Sequence, residues 1–155
     1  MDLPDIYEFH GDWTTYVEEL YEIYLETIVN DKTLKFENLP IRTRFKPMTD
    51  GKGYGFWHII SDGEEEDERD IDFRRCERLP WVHYCIKNAK QPPAPISWWK
   101  NKRGSKTHIV ILNEDNGFVI ILEERKDYYL LKTAYVARSR RLKDLKKERD
   151  KYWGL

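Results

Sequence analysis

The chain has 155 residues, enough for one domain with a substantial core. Six Trp, ten Tyr and six Phe exclude a disordered chain, even though 35% of the residues are charged. The net charge of −1 conceals a gradient: residues 1–96 sum to −8 and residues 97–155 to +7, so either the two halves attract or the basic half meets a polyanion.

In chain order, Asp12 is placed to cap a helix over residues 13–29. Trp13, Tyr16, Val17, Leu20, Tyr24 and Ile28 follow the spacing of one buried helical face, and Asn30-Asp31 supplies the stop. Pro40 and the alternation Ile41-Arg42-Thr43-Arg44-Phe45 read as a short or edge strand. The turn Asp50-Gly51-Lys52-Gly53 leads into a second predicted strand, Tyr54–Ile60. The acidic run from Glu64 to Glu68 reads as a solvated loop. Asp70 or Asp72 then caps a helix that directs Phe73, Cys76, Leu79, Val82 and Ile86 to the core, and Pro80 should kink or split it.

Gln91-Pro92-Pro93-Ala94-Pro95 is an extended connector and the clearest internal boundary. Beyond it, Thr107–Leu112, Phe118–Glu123 and Tyr128–Val136 form an antiparallel meander with short turns. Ile109-Val110-Ile111 and Val119-Ile120-Ile121 put apolar groups on both faces, which predicts a sheet covered on both sides or paired with a partner. The last helix, 137–153, carries eight Lys or Arg against three acids over 138–151, with a narrow seam of Leu142, Leu145 and Trp153. The expected architecture is therefore α+β: N-terminal helices packed on an antiparallel sheet of four to five strands, with a basic C-terminal helix. It is read as one domain over 1–155, comprising a helical segment 1–35 and a core 36–155 that contains the connector 91–95. Cys76 and Cys85 are no disulfide framework, and no signal peptide or apolar run of about 18 residues is evident, so a cytoplasmic protein without a membrane partner is expected.

The chemistry centres on His58, a histidine in the apolar run Phe56-Trp57-His58-Ile59-Ile60. As a strand, this run puts His58 on one face with Tyr54, Phe56 and Ile60, either as a hydrogen-bonded core residue or as a site residue. An imidazole titrating near about 6.5 can move the proton that ribose 2′-OH attack on phosphate requires. Arg74 and Arg78 lie four apart on a helical face, with Arg75 about 100° away, and could clamp a phosphate. The structural alternative pairs them with Glu77 and the acidic loop. Thr133 and Tyr135, expected on one strand face with Tyr129 and Leu131, could position a phosphate or serve only as strand formers.

Lys106 is a further phosphate candidate, and Trp98 could stack a base or pack in the core. Arg138, Arg140 and Arg141 of the basic helix could grip an RNA backbone or form a solvated face. Cys76, His83 and Cys85 lack a paired metal-ligand spacing, so neither a metal nor a cofactor is expected.

The series Phe56-Trp57-His58-Ile59, Asp72–Arg78, Trp98–Arg103, Phe118–Arg125 and Tyr128–Tyr135 resembles the phage-associated nucleases of the barnase–EndoU–colicin–RelE-like group over about residues 40–150. The resemblance implies helices followed by a four-stranded antiparallel sheet and metal-independent RNA cleavage. It makes His58 the acid/base, Arg74 and Arg75 or Arg78 the phosphate-binding groups, and Thr133 or Tyr135 the sheet-borne contributor. His83 and His108 are fallback partners for the second acid/base position.

The leading expectation is thus a small toxin-like or phage-related ribonuclease, with RNA as substrate, a cognate inhibitor protein as partner and homodimerisation open. Two rivals use the same residues: a non-catalytic module that binds nucleic acid or protein, and an assembly protein whose acidic and basic halves pair between subunits in a salt-dependent way.

Overall fold

Apolar residues recur every three or four positions from Tyr16 to Ile28, and the chain folds there into α1, Trp13–Tyr24, prolonged by a wider π-type turn over Leu25–Val29. Tyr16, Leu20, Tyr24 and Ile28 are fully buried along its inner face. Asp12 occupies the N-cap, but its carboxylate accepts from the Thr15 hydroxyl at 2.5 Å and leaves the backbone N–H groups uncapped. The computed structural model describes residues 2–65 and 68–155. Glu66 and Asp67 of the acidic run lie outside the described residues.

After α1 come the hairpin strands β1, Lys35–Phe36, and β2, Leu39–Arg42. Glu37 and Asn38 turn the hairpin with positive φ at both positions, the backbone of a tight type I′ turn. The next element differs from expectation. Residues Tyr54–Ile59 form a helix, α2, and not a strand. A seven-residue segment that is mostly apolar has no decisive period of its own, so packing chooses. Phe56, Ile59 and Ile60 are buried while Trp57 and His58 remain half-buried, which is helical spacing. Gly55 permits the seat: a Cβ there would stand 2.9 Å from Tyr24 Oη and 3.0 Å from the Arg44 carbonyl.

A small antiparallel pair follows, β3, Ser61–Asp62, with β4, Asp70–Ile71. Asp72 then caps α3, Phe73–Glu77, accepting from the backbone N–H of Arg74 at 2.9 Å and of Arg75 at 3.4 Å. Pro80 divides the predicted helix as expected, lying in the first turn of α4, Leu79–Asn88, where its missing N–H costs nothing. Cys76, Leu79, Val82 and Ile86 are buried, but Phe73 is 44% exposed and meets the rings of Phe9 and Trp13 at the surface. Cys76 and Cys85 are buried free thiols, and burial pushes both up to about 12.

The remaining chain supplies β5, Ile96–Arg103, β6, Lys106–Asn113, β7, Phe118–Glu124, β8, Tyr129–Val136, and α5, Ser139–Trp153. Strands β5 to β8 form an antiparallel meander, and β2 joins β8 in parallel, with Ile41 opposite Tyr129. The α+β class holds, but the sheet is six-stranded and mixed, in the order β1-β2-β8-β7-β6-β5, where four to five antiparallel strands are predicted. Each face has its own core. Ile96, Trp98, Ile109, Ile111, Ile120 and Leu131 pack beneath α1 and α4, whereas Trp99, Val110, Leu112 and Val119 pack beneath Leu145 of α5.

One irregularity decides what the second face displays. Ile121 pairs with Thr133 but Leu122 pairs with Leu131, so Lys132 is an extra residue in β8. The alternation of β8 reverses there. Thr133 and Tyr135 consequently face away from Tyr129 and Leu131, contrary to regular alternation, and Ala134 takes the core side.

A candidate histidine and arginine cleft

Helix α5 covers one end of the second sheet face and leaves the other end open. Into that open end project His108 of β6, Thr133 and Tyr135 of β8, and Asn101 and Arg103 of β5. His58 of α2 and Arg141 of α5 close the walls, and Lys132 and Ile121 complete a cleft of about 290 Å³. Three of its lining residues are cations, Arg103, Lys132 and Arg141, and among the described residues no carboxylate lines it. The geometry thus unites His58, Thr133, Tyr135 and Arg141 with His108.

Arg75 forms the support of this cleft. Its guanidinium is only 11% exposed and reaches the Ser61 carbonyl at 2.7 Å, Thr133 Oγ1 at 3.2 Å and Asp62 Oδ1 at 3.2 Å. It lies 5.8 Å from the centre of the Tyr135 ring. Most of its hydrogen-bonding capacity is therefore committed to positioning β8 against β3 and α3. Arg74 is different. It makes none of these contacts to β3 and β8, and with Arg75, Arg138 and Arg141 it lines an adjoining groove of about 300 Å³ that also holds Asp62 and Asp72; Tyr135 and Arg141 are common to groove and cleft. The Arg141 Nε sits 3.5 Å from the Tyr135 hydroxyl at that junction.

Several predicted residues fall elsewhere. Arg78 turns back to the Arg74 carbonyl and Glu77, at 3.1 and 3.3 Å, and lies over the Trp81 ring. Its position at the junction of α3 and α4 breaks the continuous helical face that would have aligned it with Arg74. Trp98 lies on the opposite sheet face, 9% exposed, between the rings of Phe36 and Trp153, so no base can stack on it there. Lys106 stands at the rim, 3.5 Å from Glu123 Oε2, and Arg140 is exposed on α5 outside both concavities. His83 pairs with Asp31 at 2.7 Å, far along the chain from the cleft residues.

Sequence reasoning missed Asn101, Arg103 and Lys132 in the lining, and Glu123 beside it. Glu123 is 1% exposed and lies behind the cleft, 3.8 Å from Lys132 Nζ and 4.0 Å from His108 Nε2, with Arg125 also bonded to it. Burial alone would raise its carboxyl, but Arg125, Lys132 and Lys106 outweigh burial and hold it below the ordinary carboxylate range. A carboxylate ending the apolar run Phe118–Leu122 is the signal that could have flagged it. His108 is pulled down chiefly by burial, and Arg103, Lys132 and Lys106 add to this against Glu123. It is therefore a neutral imidazole near pH 7, able to accept a proton.

Among the described residues no three His, Cys, Asp or Glu side chains gather to hold a metal ion. No described helix is long and apolar enough to cross a membrane. No protein-family model, curated protein or solved structure matches the chain.

Proposed function

We propose that this protein is a metal-independent ribonuclease that cleaves RNA by 2′-OH transesterification, in the manner of the barnase–EndoU–colicin–RelE-like nucleases. The observation that carries the reading is the convergence of His58 and His108, from a helix and a distant strand, on one cleft with three cations. General acid–base cleavage needs one group to take a proton and another to give one, and imidazoles do both near neutrality.

In this reading His108, held neutral by its surroundings, takes the proton from the ribose 2′-OH. The 2′ oxygen attacks phosphorus, the bond from phosphorus to O5′ breaks, and His58 protonates the departing O5′. The products are a 2′,3′-cyclic phosphate and a 5′-hydroxyl. Arg141, Lys132 and Arg103 face the charge that develops on the phosphoryl oxygens, where preorganised cations act most strongly. Arg75 is a positioning residue that holds Thr133 and Tyr135. The groove beside Arg74 and Arg138 continues the track for the backbone, its four arginines outnumbering Asp62 and Asp72.

The test is cleavage of a mixed-sequence RNA in EDTA by wild type, His58→Ala and His108→Ala, with product ends identified by mass spectrometry. Cyclic phosphate from wild type and at least 100-fold slower cleavage by each variant are expected. Salt-dependent binding without product would instead indicate a nucleic-acid-binding module.

A further inference from the structure

His58 has a second side. It also lines a separate pocket of about 370 Å³, with Trp57, Tyr54, Thr49, Ser61 and Pro47 among its walls, and among the described residues it alone is common to that pocket and the cleft. We infer that this pocket binds the nucleobase on the 3′ side of the scissile phosphate, stacked on the Trp57 indole. The inference rests on the ribonuclease reading: His58 protonates O5′, which belongs to the nucleotide on that side.

Three observations point to a base and not a phosphate. The pocket's cation, Arg69, is already consumed, because its guanidinium donates to Ser61 Oγ at 3.0 Å, the Ser61 carbonyl at 2.6 Å, the His58 carbonyl at 3.0 Å and the Gly63 carbonyl. With four acceptors on its five N–H donors it forms a floor and has little left for an anion. The indole is fixed, since Trp57 Nε1 donates to the Thr49 carbonyl at 2.9 Å and Ser61 Oγ donates to the Trp57 carbonyl at 2.6 Å. Tyr54 cannot be the platform, as the Arg44 guanidinium lies 4.4 Å from the centre of its ring and His58 leans on it at 5.5 Å. Half-buried Trp57, which meets the Phe56 ring at 5.2 Å in an edge arrangement, is left as the flat wall, and an indole face accepts any base because every base has a π-face. The size also suits a small ligand.

The probe is a dinucleotide with a 2′-O-methyl group at the cleavage position, which cannot be cleaved, compared by calorimetry with the same compound lacking its 3′ base. Wild type should bind the intact form about 10-fold more tightly. Trp57→Ala should lose that difference and Trp57→Phe should keep most of it. Equal affinity of wild type for the two compounds overturns the inference without recourse to any variant. So does an unchanged preference in a folded Trp57→Ala protein. Because the probe is never cleaved, these outcomes are independent of whether wild type cleaves RNA, which tests the ribonuclease reading alone.

Discussion

Arg75 Nη1 lies 3.2 Å from Thr133 Oγ1, joining the first turn of α3 to the last strand of the sheet across the floor of the cleft. The same guanidinium bonds the Ser61 carbonyl and Asp62, so one side chain ties three elements together. Its charge is desolvated by burial and compensated by Asp62 and Asp72. Removal would leave the Ser61 carbonyl and the Thr133 hydroxyl without their donor, whereas Asp62 is exposed and would return to solvent.

Arg75→Ala is therefore expected to destabilise the protein by about 1–3 kcal/mol in urea denaturation. Arg75→Lys should recover only part of this, because an ammonium cannot present the planar fork. A variant as stable as wild type would remove Arg75 from its supporting role.

His108 gives the enzyme reading a pH signature. Its folded value is lowered from 6.5, so activity through a neutral His108 should persist below pH 6.5 and fall only on further acidification. The same shift acts on stability. The unfolded chain binds this proton more readily, so His108's contribution is complete above about pH 6.5 and is lost as the pH falls through the lower folded value. Glu123 and Lys132 push His108 in opposite directions. Glu123→Gln should move the acid limb of kcat/KM to lower pH and Lys132→Met should move it higher, in pH–rate profiles of folded variants.

Cations along the groove should appear in salt dependence. Binding of an uncleavable RNA should weaken linearly in log K against log salt. Arg138→Ala, which alters an exposed groove residue, should reduce the slope by about 1 and weaken all sequences alike. Fluorescence anisotropy across a salt series measures both.

Gly55 should resist substitution. A methyl group there meets Tyr24 and the Arg44 backbone at about van der Waals overlap, so α2 must shift from α1. Gly55→Ala is expected to cost about 1–3 kcal/mol and to slow cleavage by displacing His58, read by thermal melting alongside the rate.

Long periodic elements were legible from residue pattern. The face of α1, the meander β6–β8, the α5 seam and the division at Pro80 all follow local rules. Helix α2 did not, because a seven-residue run satisfies either period and only the burial of Phe56, Ile59 and Ile60 together selects the helix. Strand β5 was missed because Ile96–Trp99 is buried throughout and Asn101–Arg103 is polar, so it shows no alternation. The cleft was legible in part. His58, Tyr135 and Arg141 could be named, but Arg75 and Arg78 look alike in sequence, and only the helix break sends one inward and the other to Trp81.

The extra residue at Lys132 carries a consequence for how such a site can evolve. Lys132 is one residue more than β7 can pair, and the bulge takes it up between Leu131 and Thr133. Deleting Lys132 would leave Leu131 opposite Leu122 and Thr133 opposite Ile121 with nothing between them, so the strand would run regularly and Thr133, Ala134 and Tyr135 would keep their faces. A regular strand can thus gain a lysine at the cleft without turning any downstream side chain over. Such a site can acquire a cation by insertion as well as by substitution.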